Sequence, residues 1–313
     1  MAGRILVTGA SGFIGRDLVV RLAMNGWSVR AAARDTRRVP PGDAIEPVQI
    51  GDLSGDVDWS RLVAGVQHVV HLAGLAHSTE RIDESVYRAV NAIAVEAVGK
   101  AARQEGVERV VMVSSVRAQC GPTAEGVVDE GREAQPVDAY GRSKLEGERR
   151  LEAALAGGAT AWCALRPVLC YGPGVKGNMA SLLRLARSGL PLPLAGLPGR
   201  RSLLGLANLH AGVVHALTGS GLERRAYLIA DPGPMTVGEI VTTLRAGLGV
   251  PRRLMGLPLT AARLAARMAG KADAWQRLAG DLVVSTGALE ATGWSPREAA
   301  EDGVRRWIEE DRR

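Results

Sequence analysis

The run RILVTGASGFIG, residues 4–15, carries an apolar strand directly into glycines 9, 12 and 15 and then into a helical pattern that reaches Asn25. Few folds need glycine at that spacing. Gly9 permits a tight turn, Gly12 lets backbone amides approach a pyrophosphate, and Gly15 allows close packing of helix on strand, with the helix N-terminus facing the phosphates. A glycine triplet alone is common after strands. At the head of a strand–helix unit it points to a dinucleotide site. The candidate contacts are Gly9, Ser11, Gly12, Phe13, Ile14 and Gly15.

The pattern continues in the same style. Short β-rich runs, VRAAAR (29–34), EPVQI (46–50), HVVHLAG (68–74) and RVVMVSS (109–115), alternate with helical patterns, one of them passing through Asn91 to Gln104. Such alternation predicts an α/β fold with a doubly wound parallel sheet of Rossmann type, its strands buried on both faces. A helix follows Tyr140, and then the strand AWCALRPV, which Pro167 ends because it cannot continue the ladder. Beyond Tyr171 the text changes to YGPGVKGN, a Leu/Arg helix over Ser181–Arg187, and the loop-forming PLPLAGLPGRRS. AYLIA (226–230) reads as a last sheet strand, followed by two or three helical patterns that end at PREAAEDGVRRWIEED. With 313 residues, the expected division is a dinucleotide-binding domain over 1–170, to which 201–230 returns. A smaller, mainly helical substrate lobe is expected from 171–200 and 231–313.

The second strand ends at Ala33 and is followed by Arg34, where an acid for the adenosine ribose hydroxyls is usual in NAD-preferring folds. Arg34, Arg37, Arg38 and Arg16 offer planar forks for a 2′-phosphate instead, so NADP(H) is the favoured coenzyme and NAD(H) the alternative. The bland reading is a solvated basic loop. Asp52-Leu53 follows the third strand and places a carboxylate within reach of the adenine amino group, or else closes a turn. Leu72, Ala73 and Gly74 bring small residues beside the dinucleotide.

YGRSK sets Tyr140 and Lys144 four residues apart, one turn along a single helix face. An ammonium beside a phenol favours phenolate and is expected to lower a pKa that starts near 10, making the tyrosine a proton donor and acceptor near neutrality. Ser114 and Ser115 end the strand RVVMVSS on the side where such sheets present residues to ligands. Ser115 is the candidate to bond a substrate oxygen while Tyr140 moves the proton, with Ser114 as its partner beside the coenzyme. Two serines capping local backbone are the alternative. No GxSxG elbow surrounds them, which disfavours a hydrolase triad.

Composition removes other classes. The net charge of +6 is spread over 39 basic and 33 acidic residues, and one Phe and four Tyr leave little for base stacking, so nucleic acid is not an expected partner. Cys120, Cys163 and Cys170 have neither metal nor redox spacing, so no metal is expected and a reducing cytoplasm is. Nothing resembles a signal peptide, and no apolar run is long enough to span a bilayer. The basic amphipathic stretch 251–270 is a candidate for touching an anionic membrane face, though a helix packed on the substrate lobe is the first expectation.

Together these residues resemble the extended short-chain dehydrogenase/reductase superfamily of nucleotide-sugar epimerases, dehydratases and reductases. TGASGFIG, HLAG, Asn91, YGRSK and LRPVLCYGPG match its motifs over nearly the whole chain. The resemblance implies that Asn91 supports the active-site helix, that Lys144 also holds the nicotinamide ribose, that Pro167 and Val168 lie by the nicotinamide, and that the protein is a homodimer. SSVRAQCG, GPGVKGN and PLPLAGLPGRRSLLGLANL look most like bacterial 4-reductases of UDP-4-keto-6-deoxy-N-acetylhexosamines in surface-polysaccharide synthesis. That similarity implies a UDP-sugar substrate whose diphosphate meets Asn178, Arg201 and Arg200.

The chain also departs from the group. Ala207 and Asn208 stand where acids are frequent, which puts the contacts between lobes there in doubt. Val116 and Arg117 follow Ser115 where dehydratases carry an Asp-Glu pair, so the acid and base needed to eliminate water are missing. An epimerase register puts Val116 in the hydroxyl position instead. A 4-epimerase on retained NAD and a noncatalytic dinucleotide-binding protein remain the alternatives to a reductase.

Overall fold

The computed structural model describes residues 3–76, 82–222, 224–256, 258–268, 270, 275 and 278–311. Its first half is built of strands β1 (Arg4–Thr8), β2 (Ser28–Ala33), β3 (Ile45–Gln49), β4 (His68–His71), β5 (Arg109–Val113), the short β6 (Val127–Val128) and β7 (Ala161–Pro167). Helices α1 (Phe13–Met24), α2 (Trp59–Val63), α3 (Glu84–Arg88), α4 (Ala94–Gln104) and α5 (Ala139–Leu155) connect them. One π-helical turn, Ala89–Ile93, joins α3 to α4.

Beyond these lie β8 (Leu169–Tyr171), α6 (Gly177–Arg187), β9 (Leu192–Ala195), β10 (Arg200–Arg201), β11 (Leu203–Gly205), α7 (Leu206–Thr218) and β12 (Arg225–Ile229). The chain continues through β13 (Met235–Thr236), α8 (Val237–Leu248), β14 (Leu254–Gly256), α9 (Leu259–Met268), β15 (Val283–Val284), α10 (Gly287–Glu290) and α11 (Ala300–Asp311). Helix α6 starts four residues before the expected Ser181, because Gly177, at φ +63°, turns the chain out of the preceding loop and Asn178 falls in the first turn.

Seven strands form one parallel sheet in the order β12-β7-β5-β4-β1-β2-β3, the doubly wound α/β arrangement. The strand order reverses between β1 and β4, and in such sheets ligands bind outside the carboxyl ends of the strands at that switch. Within β1 alternate residues go to opposite faces: Ile5 and Val7 join one core with Leu18 and Val213, while Leu6 joins the other with Val98 and Leu151. Burial on both sides is why these strands read as continuous apolar runs.

A third core, separate from both, gathers Tyr171, Met179, Leu183, Ile240, Leu244, Val304 and Trp307. It draws on β8, α6, α8 and α11. Helix α8 is fixed at its start by a reciprocal capping box between Thr236 and Glu239. Among the described residues no helix is long and apolar enough to cross a membrane. The side chains that would decide whether 251–270 meets a membrane lie largely outside the described residues.

Candidate active site

The glycine loop opens the site. Gly9 sits at φ +71°, where only glycine is unstrained, and a Cβ on it would lie 2.8 Å from the amide nitrogen of Ala73. A Cβ on Gly15 would lie 2.2 Å from the carbonyl of Gly9. The loop is therefore pressed against the end of β4 on one side and against its own helix on the other. No side chain caps the start of α1, and its first turn holds no acid, so the helix N-terminus offers its amides to an anion. Residues present here fit a dinucleotide pyrophosphate.

At the end of β2 the structure places Arg34 and Arg38 in the open, while Arg37 folds back onto Asp35, donating from Nε to Oδ1 at 2.9 Å. No motif in the sequence marks Asp35. It caps the short turn Thr36–Arg38 and is held below the usual carboxylate range chiefly by the Arg37 hydrogen bond. Asp52 closes a local turn, accepting from the Ser54 amide at 2.9 Å and the Ser54 hydroxyl at 2.8 Å, and these bonds, with help from the Arg34 charge, lower its pKa. Leu53 packs at the edge of the second core.

Gly74 follows β4 with no room for a side chain. A Cβ there would lie 2.7 Å from Asn91 Oδ1 and 3.3 Å from Lys144 Nζ. Asn91 itself is fully buried, donating from Nδ2 to the Leu75 carbonyl at 3.0 Å and to Ser143 Oγ at 3.1 Å, and accepting from the Leu75 amide at 2.9 Å. It ties the loop after β4 to α5. Lys144 is 5% exposed and donates to the Val113 carbonyl at 3.2 Å. Burial pushes its pKa down to about 8, against the pull of Glu148.

The hydroxyls of Tyr140 and Ser115 are hydrogen-bonded to each other. Val116, the other register, packs into the core beneath. The expected lowering of the Tyr140 phenol by Lys144 is not what the structure contains. Burial pushes the phenol up to about 12; Ser115 and Arg117 act in the opposite direction, and Cys170 and Asp138 add to the rise. Lys144 points at the Val113 carbonyl, so loss of water around the phenol outweighs its charge.

Behind these groups lies a buried polar cluster that the sequence did not reveal. Glu148 is 4% exposed and takes both prongs of Arg166, Nε to Oε1 at 3.0 Å and Nη2 to Oε2 at 2.5 Å. The Ser114 hydroxyl donates to the same carboxylate, and Arg166 also reaches Gln119. Tyr140, Lys144 and Glu148 recur at every fourth residue along α5, a spacing that could have marked Glu148. Pro167 ends β7 at the same edge of the sheet, and Val168, 5% exposed, follows it.

The candidate diphosphate contacts divide. Arg201 turns toward the loop that follows Ser115, donating to the carbonyls of Pro122 at 3.3 Å and Gly280 at 3.1 Å, and burial lowers its pKa. Arg200 turns the other way, to the Pro234 carbonyl at 2.6 Å and to Glu239 at 3.4 Å. Asn178 is exposed at the start of α6. Contacts here persist without the frequent acids at 207 and 208: Asn208 is fully buried and donates to Asp231 at 2.7 Å and to the Glu298 carbonyl at 2.9 Å.

A strand–glycine loop–helix unit, a seven-stranded parallel sheet and a Ser–Tyr–Lys cluster at its carboxyl edge define a nicotinamide-dinucleotide fold. The model of the NAD dependent epimerase/dehydratase family matches residues 5–230, and the chain belongs to that family. A UDP-glucose 4-epimerase of Vibrio cholerae is 30% identical over 312 residues, covering 97% of this chain and 94% of that protein. A 2-alkyl-3-oxoalkanoate reductase of Stenotrophomonas maltophilia is 32% identical over 80% of this chain and 77% of its own length. Among solved structures, MoeE5 in complex with UDP-glucuronic acid and NAD superposes with a TM-score of 0.80 at 25% identity, over 99% of each chain. A UDP-galactose 4-epimerase superposes at 0.75 with 23% identity, over 99% of this chain and 98% of that one, which speaks to the fold.

Proposed function

We propose that the protein reduces the C4 carbonyl of a UDP-linked 4-keto-6-deoxy (N-acetyl)hexose, with NADPH as the preferred coenzyme. One observation carries this reading: Tyr140 and Lys144 stand one turn apart on α5 with Ser115 at the phenol, and burial pushes that phenol up, favouring the protonated form required of an acid that must protonate a ketone. The bound coenzyme supplies the hydride. This chain's residues do the rest. Ser115 donates a hydrogen bond to the substrate oxygen, and Tyr140 gives that oxygen its proton. Lys144, near half-charged at pH 8, places positive charge beside the ribose and the phenol. Arg34 and Arg38 pair the 2′-phosphate, and Arg201 and Asn178 hold the diphosphate of the sugar nucleotide. Val116 and Arg117 provide no acid–base pair for eliminating water, which disfavours a dehydratase.

A 4-epimerase is the second reading, favoured by the similarity to the Vibrio cholerae enzyme over nearly the full length of both chains. It uses the same tyrosine first as base and then as acid, on a coenzyme that stays bound. Incubation with UDP-4-keto-6-deoxy-N-acetylhexosamine and NADPH or NADH separates the two. Coenzyme consumed in step with reduced sugar supports the reductase. Interconversion of UDP-glucose and UDP-galactose without added coenzyme supports the epimerase. Light scattering tests the homodimer that the family resemblance implies.

A further inference from the structure

Arg117 touches both halves of the Tyr140–Ser115 pair. Its backbone N–H donates to Ser115 Oγ at 3.1 Å and so fixes the serine rotamer. Its carbonyl presses on the first turn of α5, where a Cβ added to Gly141 would lie 2.3 Å away. Its guanidinium forms an ion pair with Asp138. Asp138 in turn caps α5, accepting from the Gly141 amide at 2.7 Å, one residue on from Tyr140.

The Arg117 side chain is only 14% exposed, and its Nε has no hydrogen-bond partner among the described residues. A buried unpaired donor is costly, which argues that something other than surface ion pairing retains it. The surroundings of the phenol supply a reason. Facing or flanking Tyr140 are the Ser115 hydroxyl, the Cys170 thiol, the Asp138 carboxylate, the Arg117 guanidinium, Lys144 one turn along, and the Tyr87 ring with its centroid at 6.1 Å. An unpaired Asp138 would repel a phenolate, and Arg117 neutralises it.

We propose that Arg117 is a positioning residue for the reaction at Tyr140. It sets the serine through its backbone, sets the helix end that carries the tyrosine through Asp138, and cancels the carboxylate charge beside the phenol. The proposal rests on the reading of Tyr140 as the proton-transfer group.

Arg117→Gln and Arg117→Lys test it in the full-length holoenzyme. In Arg117→Gln, kcat should fall about tenfold with the coenzyme KM unchanged. Arg117→Lys should return part of the rate, because it keeps the charge and loses the fork. A kcat that stays in place in Arg117→Gln overturns the proposal, including when the variant merely melts earlier. A measurement without substrate keeps this separate from the choice of reaction: the 13Cζ resonance of Tyr140 at pH 8, assigned by its absence in Tyr140→Phe. The phenol is protonated at that pH, so the resonance reads its hydrogen bonding: it should move in Arg117→Gln and return toward its original position in Arg117→Lys. An unmoved resonance overturns the proposal even if neither sugar nucleotide is turned over.

Discussion

The hydroxyl of Tyr171 donates to Asp231 Oδ2 at 2.7 Å, joining the end of β8 to the residue two beyond β12. The same carboxylate accepts from the Gly205 amide at 2.9 Å and from Asn208 at 2.7 Å. Three segments of chain thus converge on one buried acid. The amide at 208 donates to an acid supplied from 231.

Burial pushes Asp231 up to about 6 despite its three donors. The folded state then holds a proton that the unfolded chain releases near 3.8, so this group's contribution is fully present below about pH 4 and is lost as pH rises through 6. Over that window the wild type should lose up to about 3 kcal/mol relative to Asp231→Asn, which does not titrate. Above pH 7 Asp231→Asn should still be the less stable protein, because its amide N–H groups meet the donors of Gly205 and Tyr171. Melting temperatures of both proteins from pH 4 to 8 check the sign. Curves that run parallel would show that Asp231 does not titrate there.

Tyr140→Phe should lower kcat by about 10²- to 10⁴-fold, the range of a lost general acid, while leaving coenzyme affinity within a small factor. Lys144→Met should lose both. Steady-state rates and coenzyme titration by fluorescence separate the two variants, and a Tyr140→Phe enzyme retaining wild-type kcat would remove tyrosine from the mechanism.

Arg34→Asp should reverse coenzyme preference. Loss of a charged phosphate contact costs about 1–3 kcal/mol, so kcat/KM for NADPH should drop about 10- to 100-fold, while that for NADH is unchanged or improved. Equal effects on the two coenzymes would place the 2′-phosphate elsewhere.

Gly147→Ala tests the closest approach of two helices. A Cβ at 147 would lie 2.2 Å from the carbonyl of Asn91. Overpacking of this kind costs about 1–3 kcal/mol, more than the helix propensity that alanine gains. We expect a lower melting temperature together with reduced kcat, since Asn91 moves with its backbone. Thermal denaturation and rate assays on one preparation read both.

Much of the frame was legible in the sequence because it depends on local chemistry. Continuous apolar strand runs, strand-ending serines and glycines that permit close approach are written in adjacent residues, and the doubly wound parallel sheet follows from alternation of strand and helix. What was not legible depends on partners far apart in the chain. The Arg166–Glu148–Gln119 cluster joins positions up to 47 residues apart. The divergence of Arg200 and Arg201 follows from the pairing of β10 with β13, 34 residues on. The phenol's pKa failed for a related reason: helical spacing sets which side chains are neighbours, whereas desolvation is set by everything that encloses them.

The wide turn at Ala89–Ile93 has a consequence for phase. Removing one residue from it would leave an ordinary helix, but each residue carries about 100° of rotation, so α3 would swing by that angle relative to α4. Either Tyr87 would leave the Tyr140 ring or the apolar stripe of α4 would leave the core under Leu151. The irregular turn thus lets one rod keep two appointments, with the active-site helix at one end and with the sheet at the other. A shorter, more regular helix would be locally more stable and globally out of register.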